Sequence, residues 1–371
     1  MSAASVAVSS MRFKQIPEDF KVDEVIKLKP KKSGDYAYFY LTKKNWTTVR
    51  AIREIAQACQ ASFKRFKFAG NKDRAAITKQ AVSAFKIPPE VLQNVKLKDI
   101  QIKIIGFGET PLSLGTLEGN RFEIVLRDLT KLNIKHITLN AKRVTKSGFP
   151  NYFGEQRFGG GNTALIGREI VRGYFKDAVK YLLTYSSNEN TESVKARKFA
   201  EENLGSWNKI LQGWPKFLGL EASVLNYLVR IPTDFAGALR NIPKPIRRIY
   251  VHGYQSYLWN KGVEAVLKSK TKLKKTYPIP GFKTKLGNDK FSQEIKKLLF
   301  ADGLTLDSFR CSRMPELASE GVDRQATVKP KKLKIGKPET DELNTNKLKV
   351  KLTFELPKGV YATELIRSLD G

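Results

Sequence analysis

Cysteine, histidine and methionine are scarce in this 371-residue chain, with two, two and three copies, and it has no long apolar run. Cys59 and Cys311, far apart in sequence, offer no disulfide framework and suit a reducing, intracellular setting, so a cytoplasmic location is expected. His136 and His252 stand near no cysteine at ligand spacing, which argues against a zinc site. No stretch approaches the ~18 apolar residues of a membrane span, so no membrane partner is expected. The opening MSAASVAVSS lacks the cationic and apolar regions of a secretory signal, and residues 1–10 read as a flexible tail. Acids are also few: 36 Asp plus Glu face 67 Lys plus Arg, leaving a net charge of +31. Such an excess repels itself in the compact state and attracts phosphate backbones, which makes nucleic acid the leading partner.

What is present is ordinary globular material. A hydrophobic content of 41% with 10% aromatics excludes wholesale disorder, and the length suggests two or three domains. Residues 36–41 are β-rich, and residues 101–105 and 122–126 alternate as strands do. Thr47 is placed to cap a helix in which Val49, Ile52, Ile55 and Cys59 recur at helical spacing. Residues 163–185 read as one or two helices and 254–267 as another; 348–356 reads as a strand that stops at Pro357 and Gly359 before a short closing helix. Two stretches, 268–290 and 329–347, are lysine-dense and broken by Pro and Gly, as surface loops able to meet phosphates are. The order is α+β, with a helix-richer middle that reads as an insertion.

Several nucleotide-binding motifs fail. Asn71-Lys72-Asp73 lacks the spacer of a guanine-reading Asn-Lys-x-Asp, and Gly161 to Gly167 has one residue too many for a P-loop and ends in Arg168. Pro111 stands where a dinucleotide fingerprint starting at Gly106 needs its third glycine.

Two segments hold more promise. FAGNKDRAAITKQ (residues 68–80) sets Asp73 between Lys72 and Arg74 on a glycine-led turn. Opposite charges within ~4–6 Å favour a carboxylate, so these neighbours are expected to hold Asp73 ionised as a nucleophile or base. The alternative is a helix N-cap with solvated neighbours. NYFGEQRFGGGN (residues 151–162) packs aromatics, amides, an arginine and four glycines together. A flat aromatic beside an amide suits a nucleobase; the alternative is a packed aromatic turn.

Together these segments resemble the two signatures of the TruD pseudouridine synthases, which isomerise uridine in transfer RNA. RFKQIPEDFKVDE, GTLEGNRFEIVLR, HGYQSYLWN and LPKGVYATELIR resemble further family segments and come in the family's order. The resemblance covers nearly all of residues 11–371, though 173–322 mainly through HGYQSYLWN, and suits an archaeal or eukaryotic-like member. It implies an α+β catalytic domain with a mixed, mostly antiparallel sheet, over residues 11–172 and 323–371. A helix-rich, TruD-specific α/β insertion would span 173–322, and the RNA would lie in a basic cleft between the two.

The same resemblance implies roles. Asp73 matches the catalytic aspartate and Lys14 a lysine thought to pair with it. Phe153 matches the aromatic that stacks on the uracil, Asn151 an amide that helps hold Asp73 and its loop, and Phe20 a buried aromatic of the same site. Lys72 lies within the signature and is counted on the substrate side. Val360 and Ser368 depart from the serine and the acid often found there, while Arg324 and Pro330 are kept. The implied activity is a tRNA pseudouridine synthase acting at position 13 as a monomer, with no cofactor or metal. The alternatives are the same chemistry at another RNA site, such as an anticodon uridine, and a non-catalytic RNA-binding or RNA-folding protein.

Overall fold

The computed structural model describes residues 11–187 and 189–370, so the tail expected at 1–10 lies outside the described residues. The chain opens with β1 (Phe20–Ile26), β2 (Tyr36–Lys44), α1 (Thr48–Ala58), β3 (Phe66–Phe68), β4 (Ile77–Phe85), α2 (Pro89–Gln93), β5 (Ile100–Gly108), β6 (Leu117–Leu129), α3 (Lys131–Ser147) and β7 (Phe149–Pro150). Helices follow: α4 (Thr163–Arg172), α5 (Phe175–Thr184), α6 (Thr191–Glu202), α7 (Trp207–Gln212), α8 (Gly219–Arg230), α9 (Phe235–Arg240) and α10 (Lys244–Lys268). Then come β8 (Thr276–Ile279), α11 (Lys290–Ala301), β9 (Val322–Gln325), β10 (Thr327–Val328), β11 (Lys331–Ile335), β12 (Glu339–Thr340), β13 (Leu348–Pro357) and α12 (Ala362–Asp370). Two units separate, one of residues up to 149 and from 328 onward, the other of 150–327.

The first unit is built on a nine-stranded sheet in the order β11-β13-β6-β1-β4-β2-β5, with β12 against β13 and β3 against β4. Alternation in β2 buries Ala37, Phe39 and Leu41, which share a core cluster with Ile52 and Ile55 of α1. Thr47 caps that helix, accepting from the Arg50 N–H at 3.3 Å. Across the sheet, Ile124 and Leu126 of β6 and Leu352 and Phe354 of β13 pack with Val144 of α3 and Leu365 of α12. The sheet is mixed and mostly antiparallel, as expected: β1 and β4 run parallel, and β1 pairs antiparallel with β6. That parallel pair has a functional consequence. Its register sets Lys21 beside Ile77, so the segments leading into both strands, with Lys14 and Asp73, arrive at the same end of the sheet.

The second unit is mostly helical; within it β8 and β9, separated in sequence by α11, pair antiparallel and set Ile279 against Val322. Its centre is α10, whose Tyr254 and Trp259 are buried together with Phe291 of α11 and Phe309. Helix α4 belongs to this unit because it crosses α10 at very close range. A Cβ on Gly167 would fall 1.9 Å from the Tyr250 carbonyl oxygen, and one on Gly253 would fall 2.6 Å from Thr163 Cγ2. Only hydrogen at these sites lets the backbones approach so nearly. Gly167→Ala is therefore expected to destabilise the protein by about 1–3 kcal/mol through overpacking, measured by urea unfolding. An unchanged midpoint would show that Gly167 does not set the crossing.

Candidate active site

Asp73 lies in the loop of residues 69–76, which runs directly into β4. No helix follows it, so the N-cap alternative is overturned. Lys14 Nζ donates to Asp73 Oδ2 at 2.6 Å across 59 residues of sequence. Both side chains are partly open, 21% and 32% exposed, so the carboxylate is held by a cation yet within reach of a ligand. Lys14 itself sits at φ +65°, a left-handed conformation that a non-glycine residue adopts only under constraint. The constraint is Asp19, fully buried, whose carboxylate accepts from the Gln15 and Ile16 N–H groups at 3.1 and 3.2 Å. Asp19 is fixed in turn by the buried Arg127, Nε to Oδ1 at 2.8 Å, and the same guanidinium reaches Asp341 at 2.7 Å. Phe20, 4% exposed, packs edge-on against Phe122 at 6.1 Å and offers its face to the Lys14 ammonium at 3.9 Å. It acts as a floor beneath the cation.

The sequence neighbours of Asp73 behave differently from expectation. Lys72, almost covered at 9% exposure, pairs with the fully buried Glu24 of β1, and Arg74 is exposed. Lys72 turns inward to Glu24 while Asp73 turns to Lys14. Glu24 also accepts the Ala81 N–H at 2.9 Å, which ties β1 to β4 beside the loop.

The loop backbone is pinned at three points. Gln80 Nε2 donates to the Gly70 carbonyl at 3.1 Å, and the Lys72 N–H donates to Thr48 Oγ1 at 2.9 Å. Thr48 in turn donates to Gln80 Oε1 at 2.8 Å, joining those two anchors. Lys43 is the third. Its ammonium, wholly buried, donates to the Asp73 carbonyl at 2.9 Å and to the Trp46 carbonyl at 2.5 Å. Burial pulls the Lys43 pKa down to about 8, with the Asp73 charge opposing that fall and Lys72 adding to it.

Sequence reading passed over Glu24, Lys43, Thr48 and Gln80. A signal existed for Lys43: it stands in phase with the buried Phe39 and Leu41 of β2, where a lysine needs a special reason. Gln80 and Thr78 break the apolar phase of β4 in the same way.

The second signature segment is in the other unit. Phe153 is 8% exposed, and Asn260 of α10 brackets its backbone, accepting from its N–H and donating to its carbonyl, each at 2.9 Å. Its ring meets Trp259 at 5.7 Å in a T-shaped contact, and the Arg324 guanidinium lies 3.9 Å from the ring centroid. Asn151, 4% exposed, donates from Nδ2 to the Gln325 carbonyl at 3.0 Å. Arg324 donates to both its Oδ1 and its backbone carbonyl at 2.9 Å. Arg324 thus ties the amide to the ring plane.

Known proteins resemble this chain along most of its length. The family model "tRNA pseudouridine synthase D (TruD)" matches residues 3–277 and 265–369. A probable tRNA pseudouridine synthase D of Methanosarcina acetivorans is 33% identical, covering 96% of this chain and 91% of the relative. The tRNA pseudouridine synthase D of Aquifex aeolicus is 32% identical over 97% of this chain and 98% of its own. The crystal structure of a putative tRNA pseudouridine synthase D from Methanosarcina mazei superposes with a TM-score of 0.79 at 29% identity, covering 96% of this chain and 92% of that one.

Proposed function

The chain belongs to the TruD family of tRNA pseudouridine synthases, and we propose that Asp73 is the carboxylate that starts its reaction, Lys14 the paired cation and Phe153 the ring that stacks on the target uracil. The protein isomerises uridine in tRNA to pseudouridine. That reaction breaks N1–C1′, turns the uracil and joins C5 to C1′; C5 gives up a proton and N1 gains one, so atoms balance with no imported group. One observation carries the assignment: the 2.6 Å Lys14–Asp73 pair is partly open to ligand while the loop behind it is pinned.

Two routes begin from an ionised carboxylate, attack on the sugar carbon or removal of a ribose proton, and the Lys14 pair serves either. Lys43, Thr48 and Gln80 act as positioning residues for the loop. Lys72 is matched by Glu24 and contributes chiefly by holding β1 to the catalytic segment. Phe153 confines the freed uracil so that rejoining outruns escape, and Asn151 with Arg324 keeps the ring in place. Extruding the nucleotide costs a few kcal/mol, and the +31 charge offsets that on the phosphates.

The assigned target is uridine 13 in the D arm, following the family resemblance. The protein is assigned as a monomer of the cytoplasm; its two free cysteines suit a reducing compartment. Pseudouridine mapping by carbodiimide-stop primer extension on unmodified tRNA transcripts tests the target. A single new stop at position 13 is expected. Product only in the anticodon arm would move the specificity, and no product in any tRNA would remove the activity.

A further inference from the structure

The stretch HGYQSYLWN on α10 has a structural use for most of its polar side chains. Tyr254 donates to Asp302 at 2.8 Å, Gln255 accepts from Ser319 at 3.0 Å, Ser256 accepts from Arg157 Nε at 3.2 Å, and Asn260 brackets Phe153. Tyr257 and His252 make no such bond among the described residues, and of the two it is His252 that lines a cavity. Its half-buried ring makes no hydrogen bond or ion pair among the described residues. Burial holds its pKa below the usual imidazole value, reinforced by Arg157 and Arg248, so at neutral pH it offers one donor and one acceptor.

His252 lines a cavity of about 390 Å³ within the second unit, together with Phe153, Arg157, Val322, Asp323 and Arg324. Arg157 reaches Ser256 through Nε and has no acidic partner among the described residues, so its terminal amino groups are available for a phosphate. Val322, 65% exposed, supplies an apolar wall. Asp323 argues against a site for a bare anion; it suits a ligand that brings hydrogen-bond donors along with its negative charge. A phosphate, a flat apolar face and polar edges together describe a nucleotide, and the volume suits one. Arg157 Cζ lies 5.7 Å from the Phe153 ring centroid, a separation that one step of an RNA strand covers.

We propose that this cavity is a second nucleotide subsite, which takes a nucleotide adjacent in the RNA to the one stacked on Phe153, with Arg157 on its phosphate and His252 on its base edge. The proposal rests on the reading of Phe153 given above. It assigns His252 to substrate discrimination and not to the isomerisation.

The test couples protein and RNA changes under single-turnover conditions. Wild type and His252→Ala act on tRNA that is intact, abasic 5′ of the target or abasic 3′ of it. One abasic flank is expected to cost wild type about 10-fold in rate over apparent Kd, and His252→Ala a similar factor on intact RNA, with no further loss when both are combined. Arg157→Ala is expected to lower the slope of log affinity against log salt by about one. Should His252→Ala unfold, His252→Gln takes its place in the cycle. Losses that multiply fully on both flanks, or abasic flanks that cost wild type nothing, overturn the subsite. Phe153→Ala separates the two readings: an unchanged rate sinks the stacking role itself, while a lost rate without flank coupling sinks the subsite alone.

Discussion

Asp73→Asn is expected to lower pseudouridine formation by at least ~10⁴-fold while tRNA affinity stays within about three-fold of wild type. Asparagine keeps the shape and an oxygen for the Lys14 ammonium, so the 2.6 Å contact has a neutral substitute. What it removes is the charge. An amide neither forms the bond to the sugar carbon nor takes up a ribose proton, and loss of either kind of group typically costs 10²–10⁶-fold. Affinity is insulated because binding draws on a net charge of +31, of which one carboxylate is a small part. The fold is insulated too: the pair is partly exposed, and such ion pairs contribute little to stability. Single-turnover product formation and filter binding on the same preparation separate the two quantities. More than about 1% residual activity would mean that another group carries the chemistry, and a parallel loss of binding would mean that Asp73 organises the RNA-binding surface.

Much of the architecture could be read from periodicity, because its causes are local. The Thr47 cap, the β-rich run of residues 36–41 and the stop at Pro357 each depend on a few neighbouring residues, and they stand in the structure as α1, β2 and β13. The partner of Asp73 could not be derived this way. Reading along the chain favoured Lys72 and Arg74, since adjacency in sequence is all that a linear pattern offers. The pairing with Lys14 follows from the parallel register of β1 and β4, a long-range fact that only the family resemblance anticipated. The pinning of the loop by Gln80, Thr48 and Lys43 is likewise tertiary. Its trace in the sequence is Lys43 and Gln80 in the buried phase of two strands, a pattern that reads as an error until the Asp73 and Gly70 carbonyls are found opposite them. Arg324 shows the same limit: the family resemblance keeps it, but its place against Phe153 and Asn151 comes from β9.

Lys43→Met is expected to slow the single-turnover rate by about 10–100-fold with little change in tRNA affinity, because a wholly buried side chain cannot touch RNA. Methionine fills the space but leaves the Asp73 and Trp46 carbonyls without their donor. Each lost bond frees the loop to drift, and a displacement near 1 Å costs catalysis on the order of 10²-fold. The pH dependence gives a sharper test, because stability and rate should move in opposite directions. In the fold Lys43 loses its proton near pH 8, whereas in the unfolded chain it keeps it to about 10.5. Between those values the unfolded state binds more protons, so stability from this residue rises with pH across the window, and below about pH 8 the fold bears the full cost of a buried ammonium. Over the same rise the bond to the Asp73 carbonyl loses its charge assistance and weakens. Relative to Lys43→Met, wild type should therefore gain resistance to denaturant from pH 8 to 10.5 while its rate advantage shrinks from pH 7.5 to 9. Denaturant melts and product formation across those ranges read the two slopes. A lysine serving only to fill the core would give no rate advantage at any pH, and a stability difference flat across the window would show that Lys43 does not titrate there.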